Sequence, residues 1–402
     1  MKRKIFLYLL GFSFLLIAGC SKENAEKPTA KERQDIILTK TQEGYLNKGN
    51  EFAINFFKAI FQEQKESFMI SPLSLEYVLA MLSNNEGSGR EQLMKTLGCE
   101  DMDLNALNEY YSFLINALNN ADNTVSLNLA NALIYNTMLF SPKENFSSAI
   151  LNYYDAYIKG YDFSKEDVAS LINAWVNKQT NGMIPRLLEG PVSVETAAMI
   201  MNAIYFKGAW SSSLDFDIRD TKKDTFYKNE SETIRIPFMS IQTPISVYIC
   251  ELYESVRLPY GNSSFSMDIL LPWDSVKFED FIQSLNYEVL SNQYLGSCET
   301  RLMIPKFELE NSFRLNTVMQ KLGISDALFK QGVGQIEQKT KIKVDEKGTE
   351  SAAVTYGFIS SMNIDSQPRI YEFKANKPFV YVIREISTGA ILFMGIFTGA
   401  QN

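Results

Sequence analysis

Residues 341–373 read KIKVDEKGTESAAVTYGFISSMNIDSQPRIYEF, and the organisation of the chain is best understood from this stretch. Its first five residues alternate polar and apolar side chains, which is typical of a half-buried strand. Gly348 then interrupts the strand, at a point where a bend costs little. Beyond the glycine, every second residue is small or apolar: Thr349, Ser351, Ala353, Thr355, Gly357 and Ile359.

Those alternate residues share one face of an extended chain. That face could slide beneath a packed layer without a clash or a buried charge, because Glu350 falls on the opposite face. The pattern therefore predicts a spare strand that is not yet part of a sheet. An ordinary strand, a glycine turn and an exposed loop over 358–369 would explain the same alternation, and the pattern alone does not separate these two interpretations.

The N-terminus has the layout of a targeting segment. A basic start, residues 2–4, precedes an apolar run, 5–17, that is too short for a stable membrane span. The run ends in Ile-Ala-Gly before Cys20, and small residues directly before a cysteine resemble the lipobox of bacterial lipoproteins. We therefore expect a signal peptide over 1–19, a lipid on Cys20 and a flexible tether over 20–44, which would anchor the protein in the bacterial cell envelope, at the outer membrane or cell surface. A plain secretory signal with a chance cysteine is the alternative.

Charge and composition exclude several classes of function. The 402-residue chain has a formal net charge of −8, which becomes −11 when cleavage before Cys20 removes three cationic side chains, so no nucleic-acid partner is expected. It contains no histidine, which excludes Ser-His-Asp and Cys-His nucleophile pairs and histidine zinc sites. Paired carboxylates stay possible, but no motif places two of them together. The residues themselves therefore indicate no catalytic site, no metal and no cofactor, with a carboxylate pair left open.

Length and cysteine content indicate an ordinary globular chain. About 380 residues remain after the targeting segment, which suits one large domain or two average ones. With 46% hydrophobic and 21% charged residues, the composition is that of a soluble domain. The remaining cysteines are too few for a disulfide framework, so we expect buried free thiols, with one pair as the alternative: Cys99, Cys250 and Cys298.

Hydrophobic periodicity predicts both helices and strands. Helical patterns cover 49–64, 75–82, 91–97, 101–121, 313–322 and a segment from 171 that Asn181-Gly182 stops. Strand patterns cover 125–135, 197–210, 234–239, 245–253, 256–260 and 267–271. On local sequence alone, Ser74 is the expected N-cap of the second helix.

Matches in several segments resemble the serpin family. Residues 345–353, Asp-Glu-Lys-Gly-Thr-Glu-Ser-Ala-Ala, resemble the hinge of the serpin reactive-centre loop. The other matches follow in family order: SPxS at 71–74, NxWVxxxTxGxI at 173–184, NAIYFKGxW at 202–210, and the segments at 304–310, 319–329, 375–380 and 391–395. The resemblance therefore covers the chain from about residue 45 to the end.

The resemblance implies one mixed α+β domain over 45–402, with the serpin fold of about nine helices, three β-sheets and an exposed reactive-centre loop. Inhibitory serpins act as suicide substrates: the target protease cuts a loop bond, and the loop inserts as a new strand before the acyl-enzyme is hydrolysed. Such an inhibitor needs no catalytic residue of its own. The implied partners are serine proteases, with cysteine proteases as a second class, and the lipid bilayer through Cys20; the expected state is a monomer.

The same resemblance assigns the site residues. The loop hinge comprises Glu346, Gly348, Thr349, Glu350, Ser351, Ala352, Ala353 and Val354. The residues beneath the central sheet, or where the loop first enters it, are Ser71, Ser74, Asn202, Trp210 and Gln338. About seventeen residues counted from Glu346 lead to the reactive bond Met362–Asn363. The alternative cut sites are Tyr356, Phe358 and Arg369.

The sequence departs from the family pattern at two points. Gln338 stands where many members have a buried histidine near the two serines; an amide can still hydrogen-bond them, but it offers no protonation-dependent opening. The stretch from Met362 to the motif at 375–379 is about five residues longer than in typical members, which loosens the assignment of the cut bond.

Two other classes of function remain open. One is a non-inhibitory serpin that binds a ligand or acts as a chaperone, although the hinge lacks the prolines and bulky or charged residues usual in such members. The other is a glycan-binding or structural surface lipoprotein. Clustered exposed aromatics would favour that class, but Trp175 and Trp210 lie in patterns that predict burial.

Overall fold

The computed structural model describes residues 30–87, 89–291, 296–325, 336–349 and 370–399. The nine α-helices in these ranges are α1 (Lys40–Glu63), α2 (Pro72–Ser83), α3 (Gly89–Thr96), α4 (Leu104–Ala121), α5 (Glu144–Tyr154), α6 (Val168–Gln179), α7 (Phe278–Ser284), α8 (Tyr287–Ser291) and α9 (Asn316–Lys321). A 3₁₀ turn covers Ile218–Asp220.

The same ranges contain fifteen strands, many of them rich in β-branched and aromatic residues. They are β1 (Phe68–Ile70), β2 (Val125–Asn136), β3 (Tyr157–Tyr161), β4 (Ala198–Ala209), β5 (Lys222–Tyr227), β6 (Thr233–Ile249), β7 (Tyr253–Tyr260), β8 (Phe265–Pro272), β9 (Gly296–Pro305), β10 (Phe307–Arg314), β11 (Glu337–Asp345), β12 (Gly348–Thr349), β13 (Tyr371–Lys374), β14 (Phe379–Glu385) and β15 (Ile391–Phe397).

The strands form two sheets. A six-stranded sheet has the order β10-β11-β12-β4-β2-β3, antiparallel except for β2 and β3. A nine-stranded sheet has the order β1-β15-β14-β8-β7-β6-β9-β13, with β5 paired to β6. The third sheet that we expected is a small extra portion, made by β5, β9, β13 and the first part of β6, and it joins the larger sheet because β6 runs through both.

The helices cover the sheets in layers. The apolar helix α2 contacts both β4 and β15, so it lies between the two sheets, and all twelve of its residues are buried. On the other face of the six-stranded sheet, α6 packs Ile172 and Val176 against Ile134 and Met201. The mixed α+β fold expected from the sequence is therefore present, with α2 on one face of the six-stranded sheet and α6 on the other.

Several element boundaries differ from the sequence-based expectations. The helix expected at 313–322 is shorter, because Phe313 belongs to β10, where it pairs with Gln338 and packs against Phe68. The two strands expected at 234–239 and 245–253 are joined in the single strand β6, since β9 pairs continuously along its middle, and the second of them ends early, at Ile249, with Tyr253 beginning β7. Local sequence could not reveal these pairings with distant strands.

The start of the fold also lies earlier than the expected tether boundary. Helix α1 begins at Lys40, where Thr39 and Gln42 form a capping box, and so includes the last residues of the segment 20–44. The extended residues before it are held to the domain, since the amide of Ile36 donates to Ser387 Oγ at 2.9 Å. The first part of that segment, with Cys20, lies outside the described residues.

The three cysteines of the described residues carry free thiols. Cys99 is buried, Cys250 and Cys298 are half-buried, and all three are free. In the part of the chain that the structure covers, every helix is too short or too polar to cross a membrane.

Candidate functional site: the hinge and the strands around it

The hinge begins with a two-residue strand, β12, which lies between β11 and β4. Its register pairs are Asp345↔Gly348 and Val344↔Thr349 on one side, and Ala209↔Gly348 and Gly208↔Thr349 on the other. Among the described residues, no residue of β4 pairs directly with β11. These two strands of the six-stranded sheet are therefore joined through Gly348 and Thr349.

A tight turn brings the chain back into the sheet after β11. The amide of Lys347 donates to Asp345 Oδ1 at 2.9 Å, and Gly348 then adopts a φ of +125°, a backbone conformation that L side chains rarely adopt. A Cβ at Gly348 would also lie 2.2 Å from the backbone oxygen of Gly208. Glycine is therefore required here both for the turn and for the close approach to β4.

Two stacked aromatic side chains hold the part of the hinge that lies in the sheet, Gly348 and Thr349, together with the turn before it. Trp210 stacks on Tyr260 with ring centroids 4.7 Å apart, and its Nε1 donates to the backbone oxygen of Asp345 at 2.9 Å. The Tyr260 hydroxyl and Thr349 Oγ1 are hydrogen-bonded at 2.7 Å, and Thr349 is 2% exposed. Thr349 therefore faces the core, as the alternation in the sequence required, and Trp210 lies beside the turn that leads into β12.

An ion pair fixes the start of the turn. Glu346 contacts Lys306 Nζ at 2.7 Å and accepts a hydrogen bond from the Thr221 hydroxyl at 2.6 Å. Burial opposes ionisation of this carboxyl, but the hydrogen bonds from Lys306 and Thr221 outweigh it and hold the pKa of Glu346 below its usual value. The hinge glutamate is therefore ionised and anchored at neutral pH.

A buried polar network lies beneath the middle of the same sheet. Gln338 makes two hydrogen bonds to the backbone of Ser71: it accepts from the amide at 2.9 Å and donates to the carbonyl at 2.8 Å. The Ser71 hydroxyl donates to the backbone oxygen of Leu392 at 2.8 Å. The Ser74 hydroxyl donates to Asn202 Oδ1 at 2.5 Å. The structure thus brings together four of the residues predicted from the sequence.

Two details of this network differ from the expectations. Ser71, not Ser74, is the N-cap of α2, because its Oγ accepts from the amide of Ser74 and Pro72 occupies the first turn. Gln338 bonds the backbone of Ser71 rather than the serine hydroxyls, which find other acceptors. The side-chain amide of Gln338 satisfies the buried Ser71 N–H, which would otherwise be unpaired, and adds a second donor to the Ser71 carbonyl, which also accepts from the amide of Leu75 at 3.4 Å.

Sequence reasoning did not identify three residues that hold the hinge: Tyr260, Lys306 and Thr221. Lys306 carried a weak indication, since it is a cation between two apolar strand segments. Tyr260 and Thr221 carried none, because their contacts with the hinge join positions that are 89 and 125 residues apart.

The remaining predicted residues lie outside the described ranges. They are Glu350, Ser351, Ala352, Ala353 and Val354 of the hinge, the reactive bond Met362–Asn363, and the alternative cut sites Tyr356, Phe358 and Arg369. Within the ranges that are described, no cluster of acidic or cysteine side chains could hold a metal ion.

Comparison with known proteins identifies the family. The model of the family described as serpin (serine protease inhibitor) matches residues 47–399. The chain belongs to the serpin family. Among its relatives, human serpin B11 is 30% identical over 393 residues, which cover 88% of this chain and 98% of that protein. The leukocyte elastase inhibitor of Xenopus laevis is 29% identical over 374 residues, covering 86% of this chain and 97% of the relative.

A solved serpin structure has the same fold. The thermophilic serpin tengpin in its native state superposes with a TM-score of 0.80 and 25% sequence identity, covering 93% of this chain and 98% of that one. The six-stranded sheet that contains the hinge is therefore the central sheet of this serpin. Serpins are protease inhibitors rather than enzymes, and this chain matches the family over residues 47–399.

Proposed function

We propose that this serpin irreversibly inhibits serine proteases, with cysteine proteases as a second class of target. The observation that carries the proposal is the position of Gly348 and Thr349 as a strand between β11 and β4. Two residues of the hinge thus already lie between the strands where the cleaved loop would insert. Relatives whose names describe protease inhibition, such as the leukocyte elastase inhibitors, support the same function.

The protease supplies the chemistry. Its nucleophile attacks the carbonyl of Met362, an ester or thioester forms with that residue, and the new amino group of Asn363 leaves. Freed at this end, the loop continues strand β12 between β11 and β4. Because alternate residues after Thr349 are small or apolar, the inserted face meets the core without a buried charge.

Insertion is driven by new backbone pairing. A ladder of about ten hydrogen bonds, each contributing roughly 0.5–1.5 kcal/mol net, would stabilise the inserted form by about 5–15 kcal/mol. The uncut loop cannot reach this state quickly, so the native protein is held by a kinetic barrier. Gln338 does not titrate, so opening of the network beneath the sheet does not depend on its protonation.

Incubation with a panel of proteases tests the proposal. Elastase-, subtilisin-, chymotrypsin-, trypsin- and papain-like enzymes are each mixed with the protein and analysed on a denaturing gel. We expect a covalent band at the summed mass with an enzyme that prefers apolar residues, and a released C-terminal fragment that begins at Asn363. Cleavage of the loop without any covalent band would contradict inhibition and favour a non-inhibitory serpin, whereas an uncut loop with saturable glycan binding would favour a surface lectin.

The fragment mass also separates the alternative bonds. A fragment beginning at Ile370 for most inhibited proteases would move the reactive bond to Arg369 and indicate trypsin-like targets. Fragments that begin at Gly357 or Ile359 would indicate Tyr356 or Phe358, which shorten the inserted strand.

We further propose that Cys20 is lipidated and anchors the serpin to the bacterial cell envelope. The support is the basic start, the short apolar run and the small residues before the cysteine. Several acyl chains buried in the bilayer would hold the terminus firmly, since each buried methylene contributes about 0.8 kcal/mol. Cys20→Ala should move the protein from the membrane to the soluble fraction and abolish acyl labelling; unchanged partitioning would contradict the anchor.

A further inference from the structure

A cavity of about 440 Å³ lies at one end of the nine-stranded sheet, beside the extended segment that precedes α1. Its walls come from the β4–β5 connection, the middle of β6, the strand β7, the turns after β7 and β14, and the start of β9. The residues that hold the hinge are not part of its lining.

The lining combines cationic, hydroxyl and apolar groups. Its polar side chains are Arg33, Arg257, Ser213, Ser246, Ser263 and Ser297, and none of the lining residues is acidic. The other five lining residues are apolar, among them Leu214 and Ile386. The volume lies within the range of small-molecule sites, and the lining offers both apolar walls and polar groups that could orient a ligand.

Arg257 brings more positive charge to the cavity than its partner neutralises. Its Nε and Nη2 donate to the two oxygens of Asp268 at 2.9 and 2.8 Å. The same carboxylate lies 3.0 Å from Nε of Arg384, so one negative charge is shared by two guanidinium groups. The Arg257 side chain is 20% exposed, and its Nη1 has no hydrogen-bond partner among the described residues. An anion in the cavity would complete this charge balance.

Arg33 also lines the cavity, and it lies on a segment that is fastened to the domain. The amide of Lys31 donates to Asn123 Oδ1 at 2.8 Å, and the amide of Ile36 donates to Ser387 Oγ at 2.9 Å, so the chain is fastened on both sides of the arginine. Arg33 pairs with Asp35 at 2.7 Å, an exposed contact that contributes little. Its guanidinium can therefore turn to an anion at little cost.

We propose that this cavity binds a small organic anion, with a carboxylate or sulfonate between Arg33 and Arg257 and an aromatic or alicyclic body against the apolar wall. Guanidinium groups recognise such planar or tetrahedral oxyanions through paired hydrogen bonds, and the serine hydroxyls add further donors. The proposal does not depend on protease inhibition, because binding is measured without any protease.

Fluorescence titration with anilinonaphthalene sulfonate tests it. This probe combines an apolar ring body with one anionic group, and its uncharged analogue, phenylnaphthylamine, has the same rings without the sulfonate. We expect saturable binding of one sulfonate per chain and at least tenfold weaker binding of the neutral analogue. Arg33→Glu should weaken sulfonate binding at least tenfold. Arg33 lies outside every helix and strand, so this variant is expected to fold.

Arg186→Glu is the matched control, since it makes the same change of charge at an arginine that is 63% exposed and does not line the cavity. Its affinity for the sulfonate should equal that of the original chain. Equal weakening in both variants, equal binding of both probes, binding at many sites, or no saturable binding below about 1 mM would each overturn the proposal.

Discussion

The centre of the nine-stranded sheet and the centre of the six-stranded sheet are held together in opposite ways. Strand β14 pairs along its whole length with β15 on one side and β8 on the other, and every residue of β14 and β15 is buried. In the six-stranded sheet, β4 and β11 are joined through the two residues of β12. The strands of the first region therefore resist being pulled apart. In the second region, just two paired residues connect β4 to β11 among the described residues.

The difference arises from which faces of the strands are buried. The sequence of β15, ILFMGIF, is apolar throughout because both of its faces lie in the core. The sequence of β11, EQKTKIKVD, alternates: Ile342 and Val344 face the core, while Lys341 faces solvent and pairs with Glu308 at 3.3 Å. A strand buried on one face loses less apolar contact when it moves away from its neighbour, so expansion of the sheet is possible where burial is one-sided.

The largest effect on inhibition is expected from a substitution at Thr349, in the part of the hinge that lies in the sheet. Thr349→Arg replaces a side chain that is 2% exposed with a cation that has no partner beneath the sheet, which costs several kcal/mol. The uncut variant can avoid this cost by moving the arginine out of the sheet, but the cut loop must bring it back beneath the sheet. Insertion should then be slower than hydrolysis of the acyl-enzyme, and the inhibitor becomes a substrate. The number of inhibitor molecules consumed per protease should rise roughly tenfold or more, since each 1.4 kcal/mol changes a rate tenfold.

Thr349→Ser is the matched control, because it keeps the hydroxyl that contacts Tyr260 and adds no bulk. Its titration against the protease should match that of the original chain. If Thr349→Arg also traps protease at an unchanged stoichiometry, insertion is not the basis of inhibition.

A substitution that creates a cavity in the nine-stranded sheet should lower stability and leave inhibition unchanged. Ile396 is fully buried in β15, so Ile396→Ala is expected to lower the free energy of unfolding by about 2–5 kcal/mol. The stoichiometry of inhibition should not change, because β15 does not border the path of insertion. Urea denaturation and protease titration on the same preparation check both statements; a raised stoichiometry would show that the two sheets are not independent.

The network beneath the six-stranded sheet should give a smaller loss. Gln338→Met leaves the buried amide of Ser71 without its partner, whereas the Ser71 carbonyl keeps the amide of Leu75 at 3.4 Å. An unpaired buried group costs about 1–3 kcal/mol. Lys343→Met, on the same strand but facing solvent, should change stability by less than about 0.5 kcal/mol. Equal urea midpoints for the two variants would argue against a structural role of Gln338.

The smallest predicted effect lies outside both sheets, in α2. Burial raises the pKa of Glu76 to about 8, and its nearest donor, the Tyr111 hydroxyl, is 3.4 Å away. The folded state then holds a proton that the unfolded state has lost, so the stabilisation is complete below the unfolded pKa of 4.5 and decreases as the pH rises towards 8. The contribution of Glu76 to the free energy of unfolding should be about 1 kcal/mol smaller at pH 7 than at pH 6.

Glu76→Gln should remove this slope. The comparison uses the difference between the variant and the original chain at each pH, so that other groups cancel, among them Glu254, whose pKa burial also raises. An identical pH dependence in the two proteins would mean that Glu76 is already ionised at pH 6. Gln338 cannot contribute to the slope, since it carries no titratable proton.

Much of the candidate site could be predicted from the sequence because its signals are local. The alternation around Gly348 predicted a spare strand outside any sheet, with one small or apolar face; its first two residues, Gly348 and Thr349, are instead already paired between β11 and β4, with Thr349 buried. The segment at 202–210 predicted a strand that ends at a buried tryptophan, and β4 ends at Ala209 beside Trp210. The prediction that a helix begins at Phe313 was wrong for the opposite reason, because Phe313 pairs with a residue of the distant strand β11.

What the sequence by itself determined is the family, the order of the elements and the character of the hinge, because periodicity, turn residues and motif spacing act over a few neighbouring residues. Only the tertiary structure decided how far the hinge is seated, which backbone groups Gln338 satisfies, and where a cationic cavity forms. Each of these depends on residues that the fold brings together from far apart, as Ser71 and Gln338 are, 267 positions from one another. Such pairs are selected by packing and hydrogen-bond satisfaction in the finished core, and no local pattern encodes them.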